Sequence, residues 1–348
     1  MKSYSICLAS NEKYLPYCGV TIQSILCNIE KTDQFHIHIL HNGIEEKQFA
    51  QIIAMQTENV SISFIDVRPY LKFDEKLLKT VSYFSEEMYN RILIPTIFKE
   101  YDKVLYVDCD LVFNCNPKEI FDIDIGDNLV GAVKDFSLLM ARKGEEHRQK
   151  EVASLGIKPD EYFNSGVLLM NVAQLNQFNL YEKFTELLTK DTYPFPDQDI
   201  LNVICYQRVY FLDFSFNFQR GSQINPLSLQ ELYKLHDNGK KVLLNDIMIA
   251  YQNPKIIHFT GAKKPWHDEK YDLFSLWATY CISSPFGKQI LYQQLQDKLS
   301  AELKNVSKIM LLKWTIKSKI PHKKQQYYFN KLRDIEKKRH LLDELLKN

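Results

Sequence analysis

The sequence predicts an α/β protein built on a sheet that starts out parallel and is covered by helices on both faces. Two observations carry that prediction. Short apolar runs alternate with segments of helical period through the first third of the chain, the pattern of strand–helix–strand units. The 348 residues are 45% hydrophobic with only 11 glycines, enough for one large core and too few glycines for a loop-rich or fibrous protein.

The elements follow in order. "YSICLAS" (Tyr4–Ser10) reads as a buried strand, and "LPYCGVTIQSILCNI" after it has a helical period. "FHIHILHNG" (Phe35–Gly43) alternates like a strand and ends in a turn signal. "EEKQFAQIIAMQT" is helical, "VSISFIDV" (Val60–Val67) is a strand, "SEEMYNRILIPTIF" is helical and "DKVLYVDCDLVF" is the next strand. Beyond it the rhythm changes. "NLVGAVKDF", "YFNSGVLLMNV", "RVYFLDFSFNF" and "PKIIHFTG" are strand-like, "EEHRQKEVASLGIKPDEY" reads as an inserted excursion, and the chain from about Tyr271 is helical. Pro285 and Gly287 interrupt that last helical pattern, which sets a boundary between a domain at 1–284 and a C-terminal region at 285–348.

Charge divides the same way. From Ala301 onward 11 Lys and 2 Arg face 5 acids, a net of +8, which leaves −7 on the first 300 residues of a chain whose total is +1. Seven scattered cysteines without a C-x-x-C pair fit reduced thiols and argue against a zinc site. The N-terminus lacks the apolar stretch of a secretory signal, and no apolar run approaches the ~20 residues that span a bilayer. The expectation is a cytoplasmic protein. An acidic body disfavours nucleic acid as a partner.

The chemistry begins at Asp108 and Asp110, two carboxylates in an apolar strand. Burying like charges together is costly without a positive partner. On extended chain, residues i and i+2 point to one side, and two hard oxygens there suit Mg²⁺ or Mn²⁺ better than Zn²⁺. The alternative is a strand-end turn whose aspartates cap a helix. "FPDQDILN" places Asp197, Gln198 and Asp199 ahead of a helical run, where Asp197 could equally be an N-cap. "YFNSGVLLMN" places Asn164, Ser165 and Gly166 ahead of a buried strand, where Gly166 could serve a bulge. "IIHFTGAKKPWH" ends a strand on His258, followed by Gly261 and Lys264. It reads either as a structural histidine or as a metal and phosphate corner.

Taken in order, D-x-D, F-N-S-G-V-L-L-x-N, D-Q-D-x-L-N and H-F-T-G-x-x-K-P-W resemble glycosyltransferase family 8 from about Tyr4 to Trp266. The resemblance implies a GT-A fold: a Rossmann-like, mixed nucleotide-binding sheet with helices on both faces, here with a basic helical C-terminal region added. It implies a retaining transferase that moves galactose or glucose from a UDP-sugar to a glycan hydroxyl, forming an α-linkage. By position it makes Asp108, Asp110 and His258 the ligands of Mn²⁺ or Mg²⁺. Gln198, Asp197 and Asp135 become the catalytic set. Ala9, Asn11, Tyr14, Arg91, Cys109, Asn164, Gly261 and Lys264 join the two metal aspartates around the nucleotide sugar. Arg91 has a plainer alternative, a helix-surface salt bridge. Asn11 departs from the family, which often has aspartate there to read uracil. An asparagine carbonyl still accepts the uracil N3–H, and Tyr14 could stack on the base.

The basic tail interleaves lysines with Ile309, Leu312, Trp314, Ile316, Tyr327, Tyr328 and Phe329. Lysines at an anionic membrane surface contribute about 1 kcal/mol each. Docking on the inner face of the cytoplasmic membrane, near a lipid-linked acceptor such as lipopolysaccharide, is one expectation. A helix packed on the body is another, as is an oligomer seam through Leu332, Ile335, Leu342 and Leu345. Three other functions stay open. A haloacid-dehalogenase-like phosphatase also places D-x-D after an apolar strand. A binding protein could use the same fold without catalysis. Self-glucosylation of the glycogenin kind is the third.

Overall fold

The computed structural model describes residues 3–71, 86–140, 146–220, 238–267 and 273–315, and residues 330, 331, 333–335, 337 and 338. The chain divides into two compact units, Met1–Pro285 and Phe286–Asn348.

Among its described residues the first unit has ten strands: β1 (Ser3–Ala9), β2 (Gln34–His41), β3 (Val60–Asp66), β4 (Lys103–Val107), β5 (Leu111–Phe113), β6 (Val130–Lys134), β7 (Phe163–Asn171), β8 (Val209–Phe211), β9 (Phe218–Gln219) and β10 (Ile256–His258). Seven of them form one sheet in the order β3-β2-β1-β4-β7-β6-β8, and β5-β10-β9 form a second, three-stranded sheet. β3, β2, β1 and β4 run parallel. β7 is antiparallel to both β4 and β6, and β8 returns parallel to β6. The sheet is therefore mixed. Ile6, Cys7 and Leu8, Val104 and Leu105, and Val167, Leu168 and Leu169 are wholly buried, because a sheet covered on both faces needs apolar residues at successive positions rather than alternate ones.

The register sets one functional rim. β1 ends at Ala9 and β4 at Val107, while Val107 pairs with Val167, midway along antiparallel β7, whose first four residues extend beyond the end of β4. Lys134, at the end of β6, pairs with Phe163. The ends of β1, β4 and β6 and the start of β7 thus share one edge of the sheet, the edge where such sheets bind ligands.

Two readings of the sequence are corrected here. "VLYVDCDLVF" is not one strand. β4 stops at Val107, and β5 belongs to the second sheet, so Asp108–Asp110 is the crossing between sheets. Four contacts hold the crossing. The Asp108 N–H donates to the Gly166 carbonyl at 2.9 Å, and the Phe259 N–H donates to the Asp110 carbonyl at 2.9 Å. The Thr21 hydroxyl, on the helix Leu15–Asn28, lies 3.0 and 2.8 Å from the carbonyls of Cys109 and Leu111. "RVYFLDFSFNF" likewise breaks into β8, a 3-10 turn at Phe214–Asn217 and β9. Asp213 causes that break by accepting the Ser215 N–H at 2.9 Å.

In the second unit the helix Gly287–Thr315 leads. Residues 316–329 and 339–348, with Ile316, Tyr327, Tyr328, Phe329, Leu342 and Leu345 of the tail reading, lie outside the described residues, as does Leu332. Among the described residues no helix is long and apolar enough to cross a membrane.

Candidate active site

The rim gathers four carboxylates, two cations and a histidine. His258 ends β10, and its Nε2 lies 3.1 Å from Asp110 Oδ1 and 3.6 Å from Asp108 Oδ2. The ligand atoms of Asp108, Asp110 and His258 all lie within 4.8 Å of one another. Two hard carboxylates and one imidazole nitrogen, converging from two sheets, fit a divalent cation such as Mn²⁺.

Arg91 underlies this cluster. Its Nη2 donates to Asp108 Oδ1 at 3.0 Å, and its Nη1 lies 3.3 Å from Asp197 Oδ2. The same guanidinium donates to the Ser165 carbonyl at 2.7 Å and the Met88 carbonyl at 2.9 Å. It also lies over the Tyr106 ring, whose hydroxyl donates to Asp108 Oδ1 at 2.8 Å. Arg91 is 4% exposed, so it is no helix-surface salt bridge. A buried guanidinium with this many acceptors holds Asp108 and Asp197 in fixed positions. Burial pushes the Asp197 carboxyl up, Arg91 pulls it partly back, and the Asp108 charge raises it again.

Asp110 has a different balance. Burial alone would raise its carboxyl. Lys264 and His258 overcome that and hold it well below the carboxylate range. Lys264 Nζ bonds Asp110 Oδ2 and donates to the Phe259 carbonyl at 2.8 Å. The turn that delivers Lys264 passes through Gly261 at φ +81°, a conformation few other residues adopt.

A second net faces the same rim. Gln198 Oε1 accepts the Ser165 N–H at 2.9 Å and the Asn164 amide at 3.2 Å, while its Nε2 donates to Asp135 Oδ2 at 3.2 Å. Asp135 caps a short helix by accepting the Ser137 N–H at 2.9 Å. Asp197 is not an N-cap. It lies in the helix Pro196–Cys205 and accepts the Ser165 hydroxyl at 3.2 Å. Asp199 serves the helix start instead, accepting the Phe195 N–H at 3.0 Å and the Tyr162 hydroxyl at 2.6 Å.

At the end of β1, the Cys109 thiol donates to the Ala9 carbonyl at 3.1 Å. Asn11 Oδ1 accepts the Tyr14 N–H at 3.1 Å, and its Nδ2 donates to Glu87 at 3.2 Å. Tyr14 is 38% exposed beside Trp266, on which Tyr17 stacks at 3.8 Å between ring centroids.

Gly166 answers for the close packing of the Asp108–Asp110–His258 cluster. A Cβ there would lie 2.1 Å from His258 Cε1 and 2.8 Å from Asp108 Oδ2. The glycine is a seat for the imidazole, and the β6–β7 register shift lies elsewhere, between Ala132 and Lys134. Reading the sequence missed Tyr106 and Asn217 as site residues and named Ser165 without giving it a role. Tyr106 and Asn217 sit in apolar stretches and look like core, and Ser165 acts through both its backbone and its hydroxyl.

The model of the glycosyl transferase family 8 matches residues 5–270. The lipopolysaccharide 1,3-galactosyltransferase of Salmonella typhimurium is 26% identical over 302 residues, covering 81% of this chain and 76% of that protein. The lipopolysaccharide glucosyltransferase WaaO of Escherichia coli is 26% identical over 286 residues, covering 77% and 74%. Among solved structures, the bifunctional glycosyltransferase WbbM superposes with a TM-score of 0.71 at 27% identity, covering 84% of this chain and 51% of that one. The galactosyltransferase LgtC, in complex with donor and acceptor sugar analogues, superposes at 0.65 with 24% identity over 81% and 96%. At that identity LgtC speaks for the fold.

Gly166→Ala tests the seat. Overpacking of this kind costs about 1–3 kcal/mol in stability, read as a shift in urea midpoint. Mn²⁺ affinity, read from the electron paramagnetic resonance signal of the free ion, should fall by at least about tenfold, since misplaced ligands weaken metal sites to that extent. Unchanged affinity would separate Gly166 from the metal site.

Proposed function

Because this chain belongs to glycosyltransferase family 8, we propose that it moves a hexose, galactose or glucose, from a UDP-sugar to a glycan hydroxyl with retention of configuration. The observation that carries the reading is the convergence of Asp108, Asp110 and His258 on one point beside the Gln198–Asn164–Asp135 net. One cluster suits a cation on a diphosphate, and the other suits sugar hydroxyls.

In this reading Asp108, Asp110 and His258 hold Mn²⁺, or Mg²⁺ in its place. The bound cation would supply charge stabilisation to the leaving diphosphate. Lys264, resting on Asp110, would supply a second positive charge to the same phosphates. Ala9, Asn11, Tyr14 and Cys109 line the nucleotide end at the close of β1. Asn11 keeps its amide oxygen as an acceptor, the atom that bonds the Tyr14 N–H.

Gln198 is pinned at both ends of its carboxamide. It faces the sugar as a preplaced dipole, stabilising positive charge at the anomeric carbon. The acceptor oxygen attacks that carbon from the face the diphosphate leaves. The carbon–phosphate-oxygen bond breaks, and the acceptor proton passes to the departing phosphate oxygen. This same-face route gives retention without a covalent intermediate. Asp197 is 6% exposed and tied to Arg91 and Ser165, which supports a role beneath the sugar rather than as nucleophile. One LgtC structure is of an active-site mutant in which glutamine is changed to glutamate.

Lipopolysaccharide or another cell-surface glycan is the proposed acceptor class, on the strength of relatives named for lipopolysaccharide transfer. The phosphatase alternative falls with the family match, and Asp108 Oδ1 is already occupied by Arg91 and Tyr106. A cytoplasmic protein docked on an anionic membrane through its basic C-terminal region (285–348) remains part of the proposal. Vesicle flotation tests it: the intact chain should rise with anionic vesicles, and a chain truncated after 300 should not. Equal behaviour of the two would end that part.

The main test is UDP release from a panel of UDP-hexoses with Mn²⁺ or with EDTA. One donor should be turned over slowly and only with metal. Asp108→Ala should lower the rate by at least about 100-fold, the worth of several kcal/mol of charge stabilisation. Metal-independent turnover, or wild-type rates in Asp108→Ala, would overturn the reading. UDP-sugar binding without transfer to any glycan would leave a binding protein.

A further inference from the structure

We propose that Asn217 is a positioning residue for the metal site: its side-chain oxygen holds a proton on His258 Nδ1 and so keeps Nε2 free as a ligand. The inference rests on the metal reading above, which makes His258 a ligand, but Asn217 has no part in that reading.

The assignment follows from a chain of bonds with a fixed start. The Gly166 N–H can only donate, and it meets the Asn164 side chain at 3.0 Å, so that atom is the Asn164 oxygen. The other end of the same amide faces Gln198 Oε1 at 3.2 Å. Gln198 Oε1 is itself fixed as an oxygen by the Ser165 N–H at 2.9 Å. Asn164 therefore cannot be turned over. Its oxygen also meets the Asn217 side chain at 2.9 Å, which makes that Asn217 atom the NH₂. The remaining Asn217 atom is then the oxygen, and it lies 3.0 Å from His258 Nδ1. An oxygen there requires Nδ1–H to donate. Nε2 is left pointing at Asp110 Oδ1 and Asp108 Oδ2, at 3.1 and 3.6 Å. Orientation of a ligating histidine through its other nitrogen is the usual support of metal sites.

The fold holds Asn217 rigidly for this task. It is the last residue of the 3-10 turn Phe214–Asn217, wholly buried. The next two residues form β9, which pairs directly with β10: Phe218 with Ile257, and Gln219 with His258. The anchor and the ligand thus sit on adjacent strands. A neutral amide adds no further negative charge to a rim that already carries Asp108, Asp110, Asp135 and Asp197. Asn164 further links the relay to Gln198 and, at 3.5 Å, to Asp135. The metal-side histidine and the sugar-side amides therefore share one residue.

Two variants separate positioning from folding. Asn217→Leu removes the oxygen that His258 needs, and Asn217→Asp keeps an oxygen there while losing the donor to Asn164. Both should lower the urea midpoint. Mn²⁺ affinity, followed by the resonance signal of the free ion, should fall by about 10–100-fold in Asn217→Leu and stay near wild type in Asn217→Asp. Equal loss in both variants, or no loss in Asn217→Leu, would overturn the proposal. Nitrogen-15 spectroscopy of the metal-free wild-type protein gives a readout that needs no variant to fold. A proton on His258 Nδ1 is expected, and a bare Nδ1 would overturn the assignment. Wild-type protein that shows the Nδ1 proton yet binds no Mn²⁺ would overturn the metal reading, and Asn217 would then position no ligand.

Discussion

Negative charge held out of bulk water must be balanced, and the architecture around Asp108, Asp110 and Asp197 is organised by that need. Two of these carboxylates lie within reach of Arg91, which is buried and engaged on every side. The third is gripped by Lys264 and His258. An unpaired buried carboxylate costs several kcal/mol even after relaxation. The pairing is therefore a condition of having the cluster at all. Arg91 serves the floor of the site, and Asp108 Oδ2 is left facing His258.

The two sheets meet to satisfy that condition. If β4 ran on through Asp110, its aspartates would stay within one sheet. Instead the chain crosses at Cys109, and Asp110 comes under His258 and Lys264, delivered by the end of β10 and the turn after it. Gly166 completes the arrangement, because the His258 ring occupies the space where any other residue would carry its Cβ. Strand ends, crossing and glycine are thus one device. It brings Asp108, Asp110 and His258 from two distant stretches of chain to within 4.8 Å of one another, and the net of Gln198, Asn164 and Asp135 borders the same rim.

Much of this was legible in the sequence. The parallel start of the sheet followed from the alternation up to "VLYV", and the Asp108–Asp110–His258 grouping followed from motif order and resemblance. What was not legible depends on chain crossings. A continuous apolar run hides the switch of sheets at Cys109, because β4 and β5 are each buried and nothing polar but the aspartates marks the join. Asn217 lies between phenylalanines and reads as a stray polar residue until β9 is seen beside β10. Asp199, which the sequence pairs with Asp197, turns inward to Tyr162 and Arg148. Side-chain direction on a helix start is set by the neighbouring loop rather than by spacing.

The central claim is that Asp108, Asp110 and His258 converge to hold a divalent cation on the diphosphate of a nucleotide sugar. Anomalous diffraction from crystals grown with Mn²⁺ and UDP tests it most directly. The account predicts one strong manganese peak bonded to both aspartates and to His258 Nε2, with phosphate oxygens completing the shell and Lys264 moved from Asp110 toward them. A UDP-bound crystal with no peak at that point, or with manganese bound elsewhere and Lys264 still on Asp110, would contradict it.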